Sequence, residues 1–137
     1  MSFFPTHPLR WKLLRVMVYC ISKRLEVAGS HRLELSYESK CSRLHGHNWI
    51  ITIFLASDEL NADGMVVDFK RVKEKIHDYL DHGYFNELLP FNPTAENIAA
   101  WTVKQFPQCY KAIVEESEGN TAMAVDDQFP IDARFLM

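Results

Sequence analysis

The sequence predicts an α+β fold, with two amphipathic helices laid on one face of an antiparallel sheet. Three observations carry this reading. Strand-like apolar segments come in two pairs, one early and one late in the chain. Two segments with helical spacing lie between the pairs, and turn-forming residues punctuate the boundaries.

Met1 to Arg15 holds Pro5 and Pro8 and shows no clear periodicity, so residues 1–16 read as an extension. Residues 17–126 then form the folded domain and 127–137 a tail. From Val16 to Glu26 the chain alternates, with Val16, Val18, Cys20 and Ser22 on one side and Met17, Tyr19 and Ile21 on the other. Both sides begin apolar, which suits a strand covered on both faces. Glu34 to Arg43 is polar and reads as a loop. Asn48 to Leu55 is β-branched and aromatic, with Trp49, Ile51, Ile53 and Leu55 sharing one face of a second strand.

Asn61-Ala62-Asp63-Gly64 is a turn signal. Asp68 can cap a helix whose stripe is Phe69, Val72, Ile76, Tyr79 and Leu80. That helix should stop near Leu80, because Gly83 follows closely. Asn92-Pro93-Thr94 opens a second helix, with Asn92 or Thr94 as its cap and Ile98, Trp101 and Val103 among its apolar residues. Pro107 closes it. Tyr110 to Val114 and Thr121 to Val125 flank Glu118-Gly119-Asn120, a tight hairpin turn.

Composition narrows the function classes. A hydrophobic fraction of 47% over 137 residues is enough for one core. The net charge of -3 argues against sequence-independent binding to nucleic acid or to an acidic membrane. Three cysteines cannot all pair within one chain and no CxxC occurs, which points to a reducing, cytoplasmic setting. Basic Arg10, Lys12 and Arg15 precede the apolar stretch Val16 to Ile21, which is too short for a secretory core. No apolar run approaches the ~20 residues of a membrane span.

The sharpest local feature is His45-Gly46-His47, where a loop enters the second strand. Residues i and i+2 of a strand point to one face, so the two imidazoles can converge. Gly46 between them lets the backbone approach a bound ion. His31, after Ala28-Gly29-Ser30, can return beside them if the first two strands form a hairpin. Three neutral imidazoles with an open fourth position are the ligand set of catalytic zinc. Three histidines with ordinary hydrogen bonds would fit the same spacing, and spacing alone does not choose.

Cys41 lies four residues before His45, between Lys40 and Arg43. Beside a cation and two basic side chains its thiolate would be stabilised, making it a candidate base or nucleophile. Cys20 and Cys109 have no such surroundings and read as small core residues. Asp81-His82 directly follows the first helix. A carboxylate there could fix the imidazole tautomer and support a proton shuttle, although a histidine at a helix C-terminus is also favoured by the macrodipole. His7 and His77 read as solvated. Glu115-Glu116-Ser117 ends the third strand; a buried carboxylate there would suit the paired donors of an aminopyrimidinone ring, while two solvated strand-end acids fit the same pattern, Glu115 more readily than Glu116.

In chain order, these segments resemble the 6-pyruvoyl-tetrahydropterin synthase and 6-carboxy-tetrahydropterin synthase family. The resemblance runs from about Tyr19 to Val125. It rests on Ser30-His31-Arg32-Leu33, Lys40-Cys41-Ser42-Arg43-Leu44-His45-Gly46-His47-Asn48 and Gly64-Met65-Val66-Val67-Asp68-Phe69. Leu80-Asp81-His82, Pro93-Thr94-Ala95-Glu96-Asn97 and Glu116-Ser117 complete it. It implies a tunnelling fold of ββααββ order, a four-stranded antiparallel sheet with two helices on one face. Such subunits join into a barrel, so a homo-oligomer, tetramer or hexamer, with active sites at subunit interfaces is implied.

By the same resemblance His31, His45 and His47 are zinc ligands and Cys41 is the catalytic cysteine. Asp81 and His82 are the proton-relay pair, Glu116 anchors the pterin ring, and Thr94 lies where that ring is contacted. The departures are few. The family often has an aromatic residue and two alanines where this chain has Val27-Ala28-Gly29-Ser30, and a threonine where Ser117 stands.

The implied substrate is a small pterin triphosphate, 7,8-dihydroneopterin triphosphate, with Arg32, Lys40 or Arg43 meeting its phosphates. The compact Cys-x₃-His-Gly-His spacing with Arg43-Leu44 is similar to the 6-carboxy branch, a lyase that releases acetaldehyde on the route to queuosine. The alternatives are elimination of triphosphate without side-chain cleavage, giving 6-pyruvoyl-tetrahydropterin, and a zinc-bound module that binds pterin without turnover.

Overall fold

The structure is a computed structural model that describes residues 17–132 and 136–137. The expectation of an extension over residues 1–16 lies outside the described residues. Strands β1 (Tyr19–His31) and β2 (His45–Ser57) form a long antiparallel hairpin, paired residue for residue from Tyr19 opposite Ser57 to His31 opposite His45. The first strand therefore runs to His31 rather than ending at Glu26. Pairing with β2 sets its end, and Ala28-Gly29-Ser30 carries no alternation from which that end could be read.

A helical segment over residues 69–80, α1, follows the turn after β2. Asp68 caps it by accepting the Lys70 N–H at 2.9 Å, as its position predicts. Lys73–His77 in its middle is a π-turn, in which the Asp78 N–H donates to the Lys73 carbonyl. Then come β3 (Gly83–Tyr84), the short helix α2 (Phe85–Leu88) and α3 (Ala95–Val103). Strands β4 (Cys109–Ser117) and β5 (Asn120–Val125) close the fold as a hairpin. The sheet order is β3-β1-β2-β4-β5, antiparallel except that β3 lies parallel to β1. The four expected strands are present, and β3 is an addition to them. Two residues are too few to show a period. The His82 N–H donating to the Ala28 carbonyl at 2.7 Å is what returns the chain to the β1 edge.

Odd-numbered residues of β1 and β2 face the helices. Leu25, Val27, Trp49, Ile51, Ile53 and Leu55 pack there with Ala112 and Val114 of β4. From the helical side they meet Val72, Ile76, Leu80, Phe85, Ile98 and Ala99, all buried. Removing these side chains from water supplies most of the drive to fold. The opposite sheet face carries a smaller cluster of Ala56, Tyr110 and Ile131, with Cys20, Phe129 and Leu136 against it. The sequence predicts a strand β1 covered on both faces, but this cluster reaches only Val18 and Cys20, and Ser22, Arg24 and Glu26 further along the same face are exposed, as their polar side chains require. Among the described residues, no helix is long and apolar enough to cross a membrane.

Candidate active site

The β1–β2 register builds the histidine cluster. His31 ends β1 directly opposite His45, which starts β2, and His47 sits two residues further along the same face. The next odd residue, Trp49, is fully buried and forms the floor of the cluster. Its ring lies edge-on 4.8 Å from that of His31 and 5.2 Å from that of His47, and its Nε1–H donates to the Gly29 carbonyl at 3.1 Å. One ligand atom from each of His31, His45 and His47 lies within 4.8 Å of the others.

Hydrogen bonds behind the rings decide what the front can do. His31 Nδ1 lies 2.8 Å from the Pro93 carbonyl and His45 Nδ1 lies 2.7 Å from the Arg43 carbonyl. A carbonyl only accepts, so each Nδ1 carries the proton and donates it, leaving Nε2 with a lone pair. Those two Nε2 atoms face each other at 3.1 Å. Two lone pairs at that distance repel unless a proton or a cation lies between them. His47 Nε2 is buried and has no hydrogen-bond partner.

Burial, before any other cause, holds the His31 and His47 imidazoles below the ordinary histidine value, so both favour the neutral form that a metal requires. Two nitrogens bound to one tetrahedral zinc stand roughly 3.3 Å apart, given zinc–nitrogen distances of about 2.0–2.1 Å. The donor set therefore fits a divalent ion with three imidazole ligands.

Glu116 stands beside the cluster, its Oε1 3.4 Å from His47 Nε2. The same residue lines an open cavity of about 480 Å³ with Ala95 and Glu96 of α3 and Asn120, Ala122 and Met123 of β5. It thus joins the cluster to a space that could hold a ring. Thr94 is the cap of α3, accepting the Asn97 N–H at 3.1 Å. That role accounts for the threonine locally, before any ligand is considered.

Cys41 lies in a single 3-10 turn, Lys40–Ser42, capped by Ser39. Its backbone carbonyl accepts the Leu33 N–H at 2.8 Å, and the residue is exposed with a free thiol. It stands outside the histidine triad. Cys20 and Cys109 behave as the sequence predicts. Cys20 Sγ lies 3.0 Å from the Tyr110 hydroxyl, and burial pushes the Cys109 thiol up to about 11.

Asp81 and His82 do meet. The Asp81 Oδ1 accepts the Ala28 N–H at 3.0 Å, while its Oδ2 lies 3.6 Å from His82 Nε2. His82 has φ 57, and its side chain is 85% exposed. The left-handed residue after α1 is therefore the histidine, not Gly83, which instead enters β3. A non-glycine residue in this region is uncommon and turns its side chain away from the helix path. His82 lines a groove with Ala28, Ser30, Gly46 and Asn48, which strand alternation puts on the sheet face opposite the three histidines, and with Gly29 and His47 at its border.

His77 is not a bystander in solvent, as its sequence context suggested. Its Nδ1 lies 2.9 Å from Asp78 Oδ1, and its Nε2 lies 3.7 Å from Asp81 Oδ2. His7 lies outside the described residues. Sequence reasoning also missed the Pro93 and Arg43 carbonyls, which act through the backbone and leave no side-chain signal.

Residues 20–125 match the family model described as 6-pyruvoyl tetrahydropterin synthase. A Synechocystis protein named 6-carboxy-5,6,7,8-tetrahydropterin synthase is 38% identical over 93 residues, covering 61% of this chain and 71% of that protein. A Bacillus subtilis protein of the same name is 28% identical over 114 residues, covering 71% of this chain and 78% of that one. The solved Caenorhabditis elegans 6-pyruvoyl tetrahydropterin synthase superposes with a TM-score of 0.67 at 22% identity, covering 83% of this chain and 99% of that one. That likeness shows the shared fold.

Proposed function

The chain belongs to the 6-pyruvoyl tetrahydropterin synthase family, and from that premise we propose that it is a zinc-dependent lyase acting on 7,8-dihydroneopterin triphosphate. The product of this reading is 6-carboxy-5,6,7,8-tetrahydropterin, released with acetaldehyde and triphosphate. The observation that carries it is the pair of opposed Nε2 lone pairs on His31 and His45, beside the buried His47 Nε2, which makes no hydrogen bond. The compact Cys41-to-His47 block and the names of the bacterial relatives favour the 6-carboxy branch.

His31, His45 and His47 would hold the ion. A zinc ion bound there supplies Lewis acidity to substrate hydroxyls and makes the neighbouring protons easier to remove. Glu116 accepts the donor pair of the pterin ring, orienting the side chain toward the cluster. Thr94, at the mouth of α3, lies beside the Ala95 and Glu96 wall of that ring site. Cys41 as thiolate removes a proton, and His82, oriented by Asp81, returns or relays one.

Exposure of both Cys41 and His82 supports a homo-oligomer in which His82 serves a neighbouring subunit's metal and Cys41. Three free thiols support a cytoplasmic location.

The test is to incubate zinc-loaded protein with 7,8-dihydroneopterin triphosphate and assay acetaldehyde, with zinc content measured in parallel. One zinc per chain together with acetaldehyde is expected. Pyruvoyl-pterin without acetaldehyde would assign the other branch, and metal with no product would leave only a binding module.

A further inference from the structure

Residues 32–44 join β1 to β2, and sheet pairing stops at His31 opposite His45, so the sheet does not fix where this loop lies. Two asparagine side chains do. Asn86 of α2 accepts the Arg32 N–H at its Oδ1 and donates from its Nδ2 to the Arg32 carbonyl, both at 2.9 Å. Asn92 grips the next residue but one in the same way. Its Oδ1 accepts the Glu34 N–H at 2.9 Å and its Nδ2 donates to the Glu34 carbonyl at 3.0 Å. A carboxamide offers an acceptor and a donor side by side, so each asparagine engages one residue as a neighbouring strand would. Leu33, between the two clamped residues, donates its N–H to the Cys41 carbonyl at 2.8 Å.

Thr94 caps α3, which leaves the Asn92 side chain available for this grip. The Asn92 backbone is fixed from behind, its carbonyl accepting the Thr94 N–H at 2.8 Å and an Asn97 Nδ2–H at 2.9 Å. The carbonyl of the next residue, buried Pro93, accepts the His31 Nδ1–H at 2.8 Å. Two consecutive residues at the head of α3 thus hold a histidine of the cluster and the cysteine-bearing loop.

We infer that Asn92 is a positioning residue for Cys41, with Asn86 as the second anchor, and that together they fix the thiol's loop relative to the histidine cluster. The inference rests on the reading of Cys41 as the group that removes a proton. Its physical basis is that proton transfer tolerates little misplacement, while a long connection without sheet partners samples many placements. The other contacts of the loop are local. Ser39 shapes the turn around Cys41, and the Arg43 carbonyl meets His45 two residues on. The two carboxamides join the loop to the helical side of the molecule.

The experiment compares Asn92→Ala and Asn86→Ala, each with Cys41 and in a Cys41→Ala background, by kcat, KM and zinc content. Backbone amide exchange is followed in the same full-length proteins. In Asn92→Ala, kcat should fall by about 10- to 100-fold, the cost of misplacing a reacting group, with KM and zinc content at wild-type values. In the Cys41→Ala background the residual rate should not fall further, because the group being positioned is gone. The Leu33 amide, which bonds Cys41 and neither asparagine, should exchange about 10-fold faster in Asn92→Ala. Amides of Ile51 and Ile53, in a strand paired on both sides, should keep their protection and report an intact sheet. Asn86→Ala acts from the other side of Leu33, should behave alike, and carries the comparison if the first variant unfolds. Wild-type kcat or wild-type Leu33 exchange in a folded Asn92→Ala would overturn the inference, as would an equal proportional fall in kcat with and without Cys41. Failure of the underlying reading shows separately, as full turnover in Cys41→Ala.

Discussion

The ring of Phe85 occupies the space that a side chain at position 29 would need. A Cβ built on Gly29 overlaps that ring, while Gly29 lies opposite His47 in the β1–β2 register and its carbonyl takes the Trp49 indole N–H. This explains the glycine at position 29. Here α2 brings an aromatic ring down onto the strand, and the backbone gives way to it.

Gly29→Ala should therefore destabilise the protein by about 1–3 kcal/mol, the usual cost of overpacking. The damage should reach the histidine cluster, because the Gly29 carbonyl holds the Trp49 floor. Denaturant unfolding of Gly29→Ala, Phe85→Leu and the double variant checks this. A double-variant loss clearly smaller than the sum of the two single losses is expected, whereas strict additivity would show that the two positions do not compete for one space.

Cys41→Ala should keep its zinc and lose turnover by about 100-fold or more, the range for removing a proton-transfer group. The three imidazoles are built on the β1–β2 register and do not use the thiol. Zinc content and kcat measured on one preparation decide it. A rate equal to wild type would remove Cys41 from the chemistry.

Glu116→Gln should keep most of the bound metal and raise KM by roughly 10- to 100-fold, since it exchanges a charge-assisted pair of hydrogen bonds for a mismatched one. The carboxylate reaches both His47 and the cavity, so the split between the two effects is informative. Loss of zinc with KM unchanged would mean that Glu116 serves the metal ligands and not the ring.

The metal-free protein should lose stability as the solution is acidified through about pH 6.5. Burial lowers the His31 and His47 values in the folded chain. The unfolded chain therefore takes up protons first as pH falls. The stabilisation is fully present above the unfolded value, declines below it, and levels off once the folded values are passed. Thermal unfolding of metal-free wild type against His47→Asn between pH 8 and 5 checks this, with the shallower slope expected in the variant.

Much of the fold was legible because its elements carry local signals. Trp49, Ile51, Ile53 and Leu55 alternate because one face of β2 is buried, and Asp68 and Thr94 stand where helix N–H groups need acceptors. The His45-Gly46-His47 spacing likewise places two imidazoles on one face by strand geometry alone. The end of β1 and the two-residue β3 were not legible. Each depends on pairing with a partner distant in sequence, and a strand carries no mark of where its partner stops.

The sequence by itself determined the order of the elements, their buried faces and the residue types offered for metal and proton chemistry, because these follow from short-range periodicity and side-chain identity. Tertiary structure alone decided which lone pairs face each other. Carbonyls of Pro93 and Arg43 set the His31 and His45 tautomers, and the turn out of α1 sets Asp81 between His77 and His82. Those contacts join atoms brought together only when the backbone closes, and any side chain at residue 43 would present the same carbonyl.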